Sequence, residues 1–118
     1  MAAGTYDFTI EQGATLSKRL EWRDGSNVLV PLTGLEARMQ LRSKIDSTDV
    51  ILELSSIAGT IVLEDPGVIR LYVGADVTDG LDFKTAVYDL EIYDPLDAEV
   101  VTRLLKGTIT LSKEVTRP

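Results

Sequence analysis

The stretch 85–111 constrains the fold more than any other, because it encodes two long strands joined by a short turn. Its first part alternates between two faces, one of which carries Ala86, Tyr88, Leu90 and Ile92. The other face carries Val87, Asp89, Glu91 and Tyr93. Since successive side chains of a strand point to opposite faces, this period of two predicts one buried and one mostly solvated face. A turn follows at 94–98, where Pro95 supplies a turn-compatible φ.

The return strand of this hairpin has a less regular pattern. Its apolar residues on one parity are Val101, Leu105, Ile109 and Leu111. Arg103 and Gly107 share that parity, so we expect the strand to bend, with Gly107 marking a bulge. A hairpin of this length is wide enough to centre a sheet.

Alternating apolar residues predict further strands, at 5–10, 15–23, 35–42, 50–54, 60–64 and 68–74, with a brief edge segment at 28–30. The segment 75–81 does not alternate and is too short for an independent helix, so we expect a single helical turn there. Short strands with turn residues between them predict an all-β, antiparallel sandwich or barrel. We expect one domain that spans 1–118.

The predicted core contains Leu20, Trp22, Leu35, Met39, Leu71, Tyr88, Leu90 and Ile109. Lys18 interrupts the apolar parity of the strand at 15–23. We expect the hydroxyl of Tyr88 to bind a backbone group, as the tyrosine of a tyrosine corner does.

Composition limits the possible functions. The chain has no histidine and no cysteine, so the commonest general base, nucleophile partner and transition-metal ligands are missing. We therefore predict a protein that is not an enzyme and that binds no cofactor. The net charge of −7 supplies no basic footprint for nucleic acid and disfavours an anionic membrane surface. The N-terminus lacks the basic and apolar regions of a signal peptide, which predicts folding in the cytoplasm.

Acidic residues are concentrated between 76 and 99. Asp76, Asp79 and Asp82 could offer a few oxygen ligands to calcium, but their spacing lacks the pattern of a dedicated calcium loop. We favour turn-forming acids and solvated strand faces, and predict no metal site. Whether this region binds calcium stays open.

Candidate interface residues lie on predicted outward faces. Tyr72 and Tyr93 are both outward, and paired outward tyrosines are typical of a contact surface. Arg38 and Arg42 are outward on one strand, where a solvated face is the simpler interpretation. The polar loop 43–49 is long enough to reach a partner.

Several local strings, taken in order, resemble one group of proteins. They lie at 6–14, 24–25, 30–34, 35–42, 87–92 and 103–112, and include Tyr6-Asp-Phe-Thr-Ile-Glu-Gln-Gly-Ala14 and Val87-Tyr-Asp-Leu-Glu-Ile92. The set is similar to small β-sandwich proteins of tailed bacteriophages and prophages. In particular, it resembles the N-terminal domain of baseplate upper proteins and related tail or collar components.

The resemblance implies an immunoglobulin-like fold of about eight strands. It also implies a role as a virion adaptor that attaches a fibre or receptor-binding protein, and it supplies no catalytic residue. The expected partners are other virion proteins and further copies of the chain, with no nucleic acid, membrane or small-molecule substrate. Because the sequence ends at residue 118, we expect no helical stalk and a free-standing virion domain. The alternatives are a carbohydrate-binding module or a head decoration protein.

Overall fold

The structure is a computed structural model that describes residues 4–116. These residues contain nine strands and one short helix. The elements are β1 (Gly4–Thr5), β2 (Phe8–Glu11), β3 (Leu16–Glu21), β4 (Glu36–Arg42), β5 (Leu52–Ser55), β6 (Ile61–Glu64), β7 (Val68–Val73), α1 (Ala75–Asp79), β8 (Thr85–Asp94) and β9 (Asp97–Ser112). Within these residues, no helix is long and apolar enough to cross a membrane.

The strands form two sheets that pack face to face. The large sheet has the order β1-β9-β8-β4-β5, with β2 also paired to β9, and the small sheet has the order β3-β7-β6. Hairpin β8–β9 therefore lies inside the large sheet, as its length predicts. This is the strand order of an immunoglobulin-like sandwich, in which strands B, E and D face strands C, F and G. Here β3, β7 and β6 take the places of B, E and D, and β4, β8 and β9 those of C, F and G. The predicted fold class is confirmed.

The start of the chain departs from the purely antiparallel arrangement that we predicted. Both β1 and β2 pair with β9 in the parallel direction. After β2 the chain crosses to the small sheet as β3. The first strands therefore lie beside the last strand, β9, although they are far from it in sequence. The predicted strand 5–10 is also divided at Tyr6 and Asp7, which accounts for the ninth strand.

Most other predicted elements occur close to their expected positions. The segment 35–42 forms β4, and the helical turn at 75–81 forms α1. The strand expected at 50–54 begins later, at Leu52, and the strand expected at 15–23 is shortened to 16–21. The edge segment 28–30 is reduced to one isolated bridge between Arg23 and Leu29.

A one-residue bulge divides the long return strand β9. Leu90 pairs with Leu105 but Glu91 pairs with Arg103, so Leu104 has no partner on β8. The extra residue reverses the parity of the strand. The prediction that Val101 lies on the inward parity with Leu105 is therefore wrong: Arg103 and Val101 share the solvent face of the sheet with Glu91 and Tyr93.

Gly107 marks a close backbone approach, and the prediction of a bulge at this residue is wrong. A Cβ atom on Gly107 would lie 2.2 Å from the carbonyl oxygen of Tyr6. The chain between β1 and β2 is held against β9 at this point, since the Tyr6 amide donates to the Lys106 carbonyl at 2.9 Å. Only glycine leaves room for that contact.

The core lies between the sheets. Of the predicted core residues, Met39, Leu71, Tyr88, Leu90 and Ile109 are buried, whereas Leu20, Trp22 and Leu35 are partly buried and pack against the others. These three residues are less buried than predicted because Leu20 lies on an edge strand of the small sheet, and Trp22 and Leu35 lie just outside strands.

Lys18 points inward from edge strand β3, because it pairs with the buried Leu71. Its Nζ lies 5.3 Å from the ring centroids of both Tyr6 and Phe8. The ammonium group is therefore held on two aromatic rings at the open side of the sandwich. An inward-pointing charge on an edge strand opposes the addition of another strand.

Candidate interaction surface

The solvent side of the large sheet forms the candidate site, and we call it the large-sheet face. It consists of outward residues from three neighbouring strands: Arg38, Gln40 and Arg42 on β4, Val87, Asp89, Glu91 and Tyr93 on β8, and Val101, Arg103, Lys106 and Thr108 on β9. These positions alternate with buried residues, so the strand period places them on one side.

Charges on the large-sheet face are arranged in rows. The central strand β8 carries the acids, and the strands on either side carry the bases. Arg38 Nε lies 2.7 Å from Glu91 Oε1, and Arg103 Nε lies 3.5 Å from Asp89 Oδ2. Exposed ion pairs of this kind contribute at most about 1 kcal/mol to stability, so their main effect here is to position side chains.

Lys106 differs from Arg38 and Arg103, which are both ion-paired. It pairs with Asp89 in the strand register, yet its ammonium group makes no ion pair with any residue in 4–116. It is exposed, and it lies next to the Arg103–Asp89 pair. Lys106 therefore offers a positive charge that other groups can approach.

Arg42 holds the neighbouring loop in place. Its guanidinium donates to the carbonyl of Ser47 at 2.7 Å and to Gln40 Oε1 at 2.8 Å. Gln40 in turn donates to Glu53 Oε2 at 2.7 Å. The loop is thereby fixed beside β4, and it carries Ile45 with 89% of its surface exposed.

Tyr93 lies near the tip of the β8–β9 hairpin. The guanidinium carbon of Arg38 is 4.4 Å from the centroid of its ring, which is the distance of a cation–π contact. Tyr93 also pairs with Val101, whose side chain is 43% exposed. An aromatic ring, a guanidinium group and an aliphatic side chain therefore lie together at this end of the face.

A groove of about 800 Å³ runs over the large-sheet face on the side away from Tyr93 and the hairpin tip. Its basic lining residues are Arg38, Arg42, Arg103 and Lys106, and its acidic ones are Asp7, Asp89 and Glu91. Ile45 and Val87 add apolar surface. The groove thus combines cationic and apolar groups in a chain of net charge −7.

The hairpin tip, residues 94–101, is acidic and carries exposed aliphatic side chains. Asp94 Oδ1 accepts the Leu96 amide at 2.9 Å, and Asp97 Oδ1 accepts the Glu99 amide at 3.0 Å. These aspartates are turn residues, as the sequence predicts. Leu96 projects from the turn with 95% of its surface exposed.

The remaining acids between 76 and 99 do not converge. Among the described residues, no group of three or more acidic side chains could hold a metal ion. Asp82 Oδ1 lies 2.7 Å from Lys113 Nζ, and this contact lowers the pKa of Asp82. Asp89 and Glu91 face arginines across the strands.

The predicted interface residues divide between two surfaces. Arg38, Arg42 and Tyr93 lie together on the large-sheet face. Tyr72 is 53% exposed, but it lies on the small sheet, where it pairs with Ser17. The two surfaces are separated by the thickness of the sandwich, about 10 Å between sheets.

Sequence reasoning missed Arg103, Lys106 and Leu96. The first was assigned to the inward parity because the bulge at Leu104 was not recognised. Leu96 lies in a turn that the sequence does identify, and an aliphatic residue between turn-forming Pro95 and Asp97 is the signal that could have been used.

Comparisons with known proteins add little to this description. No protein-family model matches the sequence, and no curated protein matches it. Among solved structures, the chain is similar to the extracellular domain of the voltage-gated sodium channel beta4 subunit, described as parallel homodimers that explain its role in cell–cell adhesion. That match has 8% identity and a TM-score of 0.47, and it covers 98% of this chain and 97% of the other. The fold assignment rests on the sheet order above.

Proposed function

We propose that this chain is a non-enzymatic structural domain of a tailed-bacteriophage virion, which binds other virion proteins through the large-sheet face. In this role it is an adaptor of the tail, baseplate or collar, assembled with further copies of itself and used to attach a fibre or receptor-binding protein. The protein folds in the cytoplasm of the bacterial host before it enters the particle. The virion assignment is supported by the sequence resemblance alone.

The observation that supports binding is the groove on the large-sheet face. It combines bases and acids with the exposed Ile45 and the half-buried Val87. Arg38 and Arg103 are already oriented by Glu91, Tyr93 and Asp89. Side chains held in place before binding lose less conformational entropy when a partner arrives. Such a face suits recognition of a protein surface with matching charge.

A sugar-binding role has less support from the same groove. Carbohydrate-binding sandwiches use aromatic platforms or calcium. Among residues 4–116, the one aromatic residue that lines this groove is Tyr88, which is only 5% exposed. A glycan array with and without calcium tests this alternative directly.

The experiment that tests the proposal is chemical cross-linking of virions released by the host that carries the gene. A lysine-reactive reagent followed by mass spectrometry reports which lysines meet other proteins. We expect links to other virion proteins from Lys106 and Lys44, which lie in and beside the groove. Absence of the protein from particles, or links from Lys84 and Lys113 alone, would contradict the proposal.

Charge reversal provides a second, matched test. The double variant Arg38→Glu/Arg103→Glu changes the large-sheet face, and we expect it to be lost from particles. The double variant Arg19→Glu/Arg70→Glu makes the same change on the small sheet, where both arginines also have acidic partners. Incorporation of both double variants at the wild-type level would refute a role for the large-sheet face.

A further inference from the structure

The hairpin tip and the groove have complementary chemistry. The tip carries Asp94, Asp97 and Glu99 around the projecting Leu96. The groove carries Lys106, which has no ion pair within residues 4–116, beside Arg103, together with the aliphatic Ile45 and Val87. Opposite charges that surround an apolar contact are the usual composition of a specific protein interface.

One molecule cannot bring its own tip into its own groove. Val87 lines the groove and Asp94 begins the tip, and both belong to the same continuous strand β8. An extended strand rises about 3.4 Å per residue, so the two residues are separated by about 24 Å. Because β8 is held between β4 and β9, it cannot fold back to shorten that distance.

We propose that the hairpin tip of one copy of this chain binds in the groove of a second copy. Leu96 packs against Ile45 and Val87 of the neighbour, and the tip carboxylates approach its Lys106. Asp94 and Asp97 each accept an amide hydrogen within the turn, and a carboxylate has further acceptor positions for an ammonium group. The groove volume, about 800 Å³, lies within the roughly 300–1,000 Å³ of ordinary binding pockets.

This contact is heterologous, because it joins different surfaces of the two copies. A bound pair still presents one free tip and one free groove, so the contact generates a closed ring or an open filament. The inference rests on the proposed function in that it specifies how the virion domain meets its own copies. The acidic tip meets less repulsion in the groove than over the rest of this chain of net charge −7, since the groove lining carries four basic and three acidic residues.

Two single variants separate the two halves of the contact. Leu96→Asp disables the tip at a residue that is 95% exposed, and Lys106→Glu disables the groove at an exposed lysine without an ion pair in 4–116. Val62→Asp, at an exposed position on the small sheet, is the control. Circular dichroism verifies that each variant is folded, and light scattering measures its mass over a concentration range.

We expect the wild type and Val62→Asp to form oligomers that weaken with added salt, because the charges are exposed. Each tip or groove variant should raise the Kd by about tenfold or more and remain monomeric. An equimolar mixture of the two should form a one-to-one dimer that grows no further. The intact tip of Lys106→Glu binds the intact groove of Leu96→Asp. The elements left free in that dimer are both the altered ones, so no further copy can bind.

Three results would overturn the inference. The first is a wild type that stays monomeric at millimolar concentration, and the second is oligomerisation that survives both single variants. The third is a mixture of the two variants that stays monomeric, which indicates a symmetric contact. If the wild type is monomeric but Lys106→Glu is still lost from virions, the groove takes another protein, and the proposed function stands without the self-contact.

Discussion

The hydroxyl of Tyr88 donates a 2.5 Å hydrogen bond to the backbone carbonyl of Tyr6. This bond connects the start of the chain to strand β8 inside the large sheet. Tyr88 is 5% exposed, and its ring meets Phe8 edge-on at a centroid distance of 5.4 Å. The parallel strands β1 and β2 are thereby tied to the core as well as to β9.

We predict that Tyr88→Phe destabilises the protein although the ring is retained. The substitution leaves the Tyr6 carbonyl without this donor, which costs about 1–3 kcal/mol for a buried group. Urea denaturation followed by circular dichroism measures the loss. Tyr72→Phe on the exposed small sheet is the control and should change stability by less than about 0.5 kcal/mol. Equal effects of the two substitutions would show that the hydrogen bond is unimportant.

Stability should also fall at alkaline pH through the same residue. Burial raises the pKa of Tyr88, with smaller contributions from Tyr6 and Asp7. The folded-state pKa then lies above the unfolded value of about 10, so the hydroxyl stabilises the fold fully below that pH and progressively less above it. Denaturation curves at pH 8 and pH 11 should differ more for the wild type than for Tyr88→Phe. An identical pH dependence would contradict this assignment.

Replacement of Gly107 by alanine should be strongly destabilising. The new Cβ would lie 2.2 Å from the Tyr6 carbonyl oxygen. Neither backbone segment can move away easily, because Gly107 pairs with Tyr88 and the Tyr6 amide donates to the Lys106 carbonyl. Overpacking of this kind costs about 1–3 kcal/mol or more. Gly25→Ala is the matched control, because no atom lies within 4 Å of its Cβ position. Thermal unfolding should separate the two variants clearly.

Leu90 and Leu96 provide a comparison of the same substitution on one strand pair. Leu90 is fully buried, and Leu90→Ala should reduce the free energy of unfolding by about 2–5 kcal/mol. Leu96 is 95% exposed, and Leu96→Ala should change it by less than about 0.5 kcal/mol. Both are measured by urea denaturation at one protein concentration. A small effect at Leu90 would show that the two sheets do not meet at this residue.

Lys18→Leu should keep the fold and promote aggregation. The substitution removes the ammonium group from the rings of Tyr6 and Phe8 and leaves an edge strand without its inward charge. Edge strands without such charges add further strands readily. Turbidity on mild heating should rise faster than for the wild type, whereas Lys84→Leu, outside the strands, should behave like the wild type.

Local patterns in the sequence were sufficient for most strands, because the period of two depends only on neighbouring residues. Strand β4 is the clearest case, with Ala37, Met39 and Leu41 buried between outward polar residues. The parallel pairing of β1 and β2 with β9 could not be read in this way. It joins residues about a hundred positions apart, and no local pattern encodes that partner.

The candidate site was only partly predictable for a similar reason. Arg38, Arg42 and Tyr93 lie on strands of regular alternation, so their outward orientation follows from the sequence. The orientation of Arg103 depends on where the extra residue is placed in β9, and Gly107 was the more obvious position for a bulge than Leu104. Tertiary contacts account for the glycine at 107, because no larger residue fits beside Tyr6 there, and the bulge lies at Leu104 instead.

The bulge at Leu104 has a consequence for how this protein can change over time. Between the bulge and the tip, β9 presents Arg103 and Val101 to solvent. After the bulge, β9 keeps Leu105, Ile109 and Leu111 in contact with the core. Substitutions of the outward residues in this outer half can therefore alter what the domain meets without disturbing how it folds. Related chains are expected to diverge most in this outer half and to retain the inner half.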